Sequence, residues 1–109
     1  MLNQCNFTGR FASDPTYYDG DTQRVTFTLA VEQDHKNKEG QYDTDFLDFI
    51  AWGGTAGFIN QYFHKGDLAT VSNARAQVRK FTASDGNPRR VVEFVVDRIY
   101  FGQKKKRDE

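Results

Sequence analysis

The stretch TDFLDFIAWGG, residues 44–54, is apolar on both faces when read as a strand. Alternation sends Leu47, Phe49 and Ala51 one way and Phe46, Asp48, Ile50 and Trp52 the other. A chain of 109 residues makes one domain with one core, so only one face is interior. Asp48 decides which. An unpaired carboxylate is costly to bury, so the Leu47 face belongs to the core, and Phe46, Ile50 and Trp52 point outward. Two rings on an exposed sheet face form either a contact surface for protein or a platform on which flat groups stack.

Working outward, strands dominate. Ten Phe, five Tyr and one Trp against two Pro favour extended structure. A first strand covers residues 3–11, with Cys5, Phe7 and Gly9 on one side, and Asp14-Pro15 breaks it. Asp19-Gly20-Asp21 reads as a turn. In the second strand Val25, Phe27, Leu29 and Val31 alternate with Thr26, Thr28, Ala30 and Glu32. QDHKNKEGQ, with Gly40 in the turn, folds the chain back into the opening stretch as the third strand. Gly53-Gly54 ends it, and GTAGFINQYFHKG places Ala56, Ile59 and Phe63 at helical spacing, with Thr55 as the expected cap and Gly66 as the stop. A fourth strand spans Leu68–Thr82, ASDGNP (83–88) turns, and a fifth spans 89–101. Three strands, a short helix and two strands predict an all-β domain: a five-stranded antiparallel Greek-key barrel, the OB-fold, over residues 1–102. Residues 103–109 are expected to form a disordered charged tail.

Formal net charge is zero, but the halves differ. Residues 1–60 hold 4 basic and 9 acidic side chains; residues 61–109 hold 11 basic and 6 acidic. A chain so divided can still present a basic surface. The single cysteine, Cys5, excludes an internal disulfide and sits in an apolar pattern, which suits a buried thiol. No apolar run has the length of a membrane span, and MLNQCNF lacks the form of a signal peptide. A cytoplasmic location is therefore expected.

The fourth strand says more about the outward face. In ARAQVRKFT, Arg75, Gln77, Arg79 and Phe81 share one side, and Ala74, Ala76 and Val78 share the other. Small apolar residues fit a tapering barrel core, so cations alternate with an aromatic outside. Cations hold phosphates, and rings stack on bases whatever their identity, each stacked base being worth ~1–3 kcal/mol. Single-stranded nucleic acid is the ligand that calls for both groups at this spacing; the alternatives are a subunit contact through Phe46 and Trp52 and incidental packing, with Phe81 folding over the sheet edge before the hairpin turn.

These pieces resemble, in order, the bacterial and phage single-stranded DNA-binding proteins: MLNQCNFTGRFASDPTYY, VTFTLAVEQDHKNKEG, TDFLDFIAWGG, YFHKGD and RKFTASDGNPRRVVEFVVDRIYF. The resemblance covers nearly the entire chain. It implies an OB-fold that binds single-stranded DNA without sequence preference and assembles as a homotetramer, with a dimer as the alternative. The stacking aromatics of the family fall on Phe46, Trp52 and Phe81, and a fourth on or near His35. Lys36, Lys38, Arg75, Arg79 and Lys80 are the neighbouring cations, with Arg89, Arg90 and Arg10 as further contacts. Lys80 has the opposite parity to Arg79.

Four departures stand out. Gly54 occupies a position where the family commonly has lysine. Asp48 lies on the binding face and needs a partner such as Arg79. The 66–81 segment is one residue longer than usual, which a bulge near Ser72-Asn73 absorbs without flipping Phe81. The chain closes on KKKRDE where bacterial members carry an acidic tail ending in Pro-Phe, so the resemblance brings no tail-mediated recruitment of replication enzymes to these residues.

No catalytic constellation, metal-ligand spacing or phosphate-binding glycine loop is visible, so neither enzyme activity nor a cofactor is expected. The competing reading is an OB-fold subunit of a primosome or other replication assembly whose aromatic face meets protein.

Overall fold

In the computed structural model, residues 1–102 are described. The elements in chain order are β1 (Cys5–Phe11), β2 (Thr16–Asp19), β3 (Gln23–Lys36), β4 (Tyr42–Trp52), α1 (Gly53–Tyr62), β5 (Leu68–Thr82), β6 (Pro88–Val95) and β7 (Arg98–Phe101). Five of these strands close a ring. β1 pairs with β3, β3 with β4, β4 with β6, β6 with β5, and β5 returns to β1. The ring is the expected OB barrel, antiparallel except at one seam. There β4 and β6 run parallel through Phe49–Phe94 and Ile50–Val95. β2 and β7 are short additions that pair with β3 and β5. The expected fifth strand is broken at Val96-Asp97, after which β7 pairs with the start of β5, from Ala69 to Ser72.

The alternation holds inside the ring. Val25, Phe27, Leu29, Phe49, Ala51, Ala69, Val71 and Ala74 are buried. A column of rings runs through the barrel: Phe63 stacks on Phe11 at 5.1 Å, Phe11 on Phe27 at 4.7 Å, and Phe27 on Phe49 at 5.1 Å. Phe7 meets Phe49 edge-on at 5.3 Å. Each such pair adds about 0.5–1.5 kcal/mol beyond the area it buries. Cys5 is partly buried against this core. β1 passes β3 so closely that a Cβ on Gly9 would lie 2.6 Å from the Ala30 carbonyl oxygen, so this position in the Gly-Arg element has no room for a side chain.

α1 closes one end of the barrel with Ala56, Ile59 and Phe63 inward. It begins earlier than the capping pattern suggested. Gly53 adopts φ +62°, which lets the chain turn straight from β4 into the helix, and Trp52 is the N-cap residue. Thr55 is thus inside the first turn and caps nothing. The segment after the helix is tied down by polar contacts. The buried Asp67 accepts from the His64 backbone N–H at 2.9 Å, and the Phe11 N–H donates to the Asp67 carbonyl at 2.9 Å.

Two burial expectations fail. Ile50 is only 6% exposed although its parity is outward. It sits on the parallel seam, at the floor of a groove whose sides are raised by β2 and β6, so the outer surface covers it. Val78 has core parity yet is 55% exposed, as is its cross-strand partner Val92. The outer halves of β5 and β6 run past the barrel as a free arm with no core beneath them. The tail expected over residues 103–109 lies outside the described residues. Among the described residues, no helix is long and apolar enough to cross a membrane.

Candidate nucleic-acid interface

One inserted residue fixes which side chains of β5 reach the outer face. Phe7 pairs with Val71, but Cys5 pairs with Ala74, so three residues of β5 span two of β1. The extra residue lies at Ser72-Asn73, and Asn73 adopts φ +59°. Its backbone N–H donates to Asn6 Oδ1 at 3.0 Å, and its own Oδ1 accepts from Gln4 Nε2. Asn3 then brackets Ala76, donating to its carbonyl at 2.8 Å and accepting from its N–H at 3.0 Å. Beyond the bulge the parity is reset: Ala74 and Ala76 turn inward, and Arg75, Gln77, Arg79 and Phe81 turn outward, as anticipated.

The outward side chains of β3, β4, β5 and β6 face a groove of about 470 Å³. Phe46 and Trp52, six residues apart on β4, stand 65% and 45% exposed on this outer surface. Phe81, on the arm, is 39% exposed with the Arg79 guanidinium 5.3 Å from its ring centroid. Arg79 also contributes to the groove wall, which links the arm to the barrel floor. Its Nε lies 3.5 Å from Glu93 Oε2, and Gln77 donates to Glu93 Oε1 at 3.1 Å. Arg75 donates to Gln77 at 3.3 Å. Arg79 is thus held by the buried Glu93 carboxylate directly, and Arg75 reaches it only through the Gln77 amide.

Asp48 is met by Thr28, whose hydroxyl donates to Oδ1 at 2.8 Å, rather than by Arg79. The two residues are cross-strand partners on the groove floor.

The remaining residues named from the sequence are scattered. Lys80 and Arg90 are cross-strand partners on the opposite side of the arm, alongside Val78 and Val92. Arg89 faces outward with Phe81 but is tied back to Asp85 at 3.0 Å. Arg10 has its Nη1 donating to the Gly66 carbonyl at 3.0 Å, which joins β1 to the loop before β5. His35, Lys36 and Lys38 cluster at the β3–β4 hairpin, away from the groove floor. His35 lies in a bulge of β3, its Nδ1 3.1 Å from Asp34, and Lys36 sits 5.8 Å from the Tyr42 ring centroid. Asn37 shapes the turn by accepting from the N–H groups of Glu39 and Gln41.

Two residues of this surface escaped the sequence reading, Tyr18 and Arg24. The sequence pattern assigns no element to residues 16–19, because these four residues run from the Asp14-Pro15 break straight into the turn that begins at Asp19. The alternation of Arg24 with Val25 in the second strand was the available signal, since it places Arg24 on the outer face. No group of three or more His, Cys, Asp or Glu among the described residues is arranged to hold a metal ion.

Residues 2–102 match the model of the single-strand binding protein family. Single-stranded DNA-binding protein 1 of Clostridium acetobutylicum is 33% identical over 108 residues, covering 96% of this chain and 97% of its own length. Single-stranded DNA-binding protein 2 of the same organism is 39% identical over 103 residues, covering 92% and 76%. Single-stranded DNA-binding protein 3 of Listeria innocua is 33% identical over 107 residues, and the match spans 66% of its length. Among solved structures, a Plasmodium falciparum SSB in complex with ssDNA has a TM-score of 0.84 at 20% identity, covering 94% of this chain and 96% of that one, a likeness of fold. The closed five-strand ring, its α1 plug and the match over residues 2–102 lead to one conclusion: the chain belongs to the single-strand binding protein family.

Proposed function

We propose that this chain binds single-stranded DNA without sequence preference, coating and protecting exposed strands in replication, recombination and repair. One observation carries this beside the family membership: Phe46, Trp52 and Phe81 are all exposed on the outer surface that Arg75 and Arg79 share. Rings stack on any unpaired base, while cations neutralise the backbone. Duplex bases already stack on each other, so such a surface selects single strands. In this reading Arg75 and Arg79 hold phosphates beside the groove. Lys36 and Lys38 hold them at the hairpin tip, with His35 as a weaker stacking ring. Lys80 and Arg90 guide a strand that crosses to the reverse of the arm, and Arg89 takes a phosphate when it leaves Asp85. Arg10 acts through structure. The protein binds rather than transforms its ligand, acts in the cytoplasm and assembles from identical subunits as a tetramer. The exposed Val78–Val92 pair supports such contact, because apolar surface of this kind is commonly covered by a partner.

The test is a titration with long oligothymidine followed by Trp52 fluorescence, Trp52 being the one tryptophan. Binding that quenches Trp52, depends on oligomer length and weakens with salt is the expected result. A gel shift showing no complex at low salt would overturn it in favour of a protein-interaction subunit.

A further inference from the structure

We propose that Tyr18 and Arg24 extend the DNA-binding face, with Arg24 clamping a backbone phosphate beside Trp52 and Tyr18 offering a further stacking ring. This deepens the single-stranded DNA reading and rests on it.

The register supplies the geometry. Tyr18 pairs with Arg24 across β2 and β3, and Arg24 pairs with Trp52 across β3 and β4. Direct cross-strand partners share a face. The three side chains therefore form one row across the outer surface. The Arg24 guanidinium carbon lies 4.3 Å from the Tyr18 ring centroid and 5.9 Å from that of Trp52. Both rings remain well exposed, at 46% and 45%. Tyr18 and Arg24 also line the groove that Arg79 walls on its other side.

The second observation is chemical. Arg75 and Arg79 are joined to Gln77 and Glu93, and Arg89 is joined to Asp85. Arg24 differs. It is half-buried, its Nε is shielded from solvent without a hydrogen-bond partner, and no carboxylate pairs with it among the described residues. A guanidinium carries five N–H donors in a planar fork. Two aromatic faces stabilise its charge but accept none of those hydrogen bonds in the plane. A phosphate oxygen fits that fork bidentately. A strand with one base on Trp52 would bring its phosphate to Arg24 and its next base toward Tyr18. Arg24 thus prepares a site instead of merely latching β2 to the barrel.

The distinguishing measurement is the salt dependence of oligothymidine affinity for the full chain, since one lost phosphate contact lowers the log–log slope by about 0.7. Arg24→Gln is expected to lower the slope by that amount and to weaken binding at low salt about tenfold. Arg24→Lys should keep the slope, with a smaller loss from the missing fork. Tyr18→Leu should weaken binding by roughly 5- to 160-fold, the range of one lost base stack, with the slope unchanged. Lys65→Gln, an exposed cation beyond the groove, should match the parent. Thermal melting of each variant separates folding from binding. Parent-like slope and affinity in folded Arg24→Gln and Tyr18→Leu would overturn the proposal while leaving the single-stranded DNA reading intact. Failure of the parent to bind would overturn both.

Discussion

The barrel wall and the β5–β6 arm are built from the same alternating pattern, yet only the wall has an inside. On β5, Ala74 is buried and Ala76 partly so, but Val78, next in the same series, is 55% exposed. Nothing about its own residue type marks the change. The wall is closed by β1, β3 and β4 behind it, whereas the arm has only its own two strands. A two-stranded ribbon alone is marginally stable in water. The arm therefore depends on the barrel for its position and is free to adjust to what it meets. Its tip is fixed locally: the Asp85 carboxylate accepts from the Asn87 N–H at 3.0 Å, and the Gly86 N–H donates to the Ala83 carbonyl at 2.9 Å.

Substitutions can break or sharpen this contrast. The largest effect belongs to the wall. Phe49→Ala removes a ring packed against Phe7, Phe27 and Phe94, and urea denaturation should show a loss of about 3–5 kcal/mol. Next come the exposed rings. Trp52→Ala on the wall and Phe81→Ala on the arm should each lower oligothymidine affinity by about 1–3 kcal/mol with little change in stability. Equal losses at both would mean that the arm is as well placed as the wall. Asn73→Val forces a β-branched residue into a left-handed backbone and should cost about 1–2 kcal/mol by the same denaturation, whereas Asn73→Gly should be close to neutral. The smallest effect is on the arm. Val92→Thr should change monomer stability by no more than about 0.5 kcal/mol. A larger loss that grows with dilution would reveal that a second subunit covers Val92.

Much of this was legible because parity is a local property. Phe46, Trp52 and Phe81 fell on the outer face from alternation, once Asp48 had fixed the sense of β4 and the small residues Ala74 and Ala76 that of β5; the extra residue near 72–73 was legible only against the family pattern. What stayed hidden was non-local. The burial of Ile50 depends on the strands flanking the seam, and the exposure of Val78 depends on where the barrel ends. Lys80 and Arg90 share a side of the arm that composition cannot distinguish from a core face. β2 went unseen because four residues between two turn signals carry too little periodicity. With it went Tyr18, and with Tyr18 the reason to look twice at Arg24.

The parallel seam gives the barrel a place to breathe. β4 and β6 are joined there through the Phe49–Phe94 and Ile50–Val95 positions, with the Val96 N–H donating to the Ile50 carbonyl at 2.9 Å. The β3–β4 ladder, by contrast, runs unbroken from Arg24–Trp52 to Glu32–Thr44. Amide deuteration should thus reach Val96 sooner than the middle of β3. A ligand lying across the groove above Ile50 would act as a staple over this closure, slowing that exchange without itself bonding to the Val96 amide.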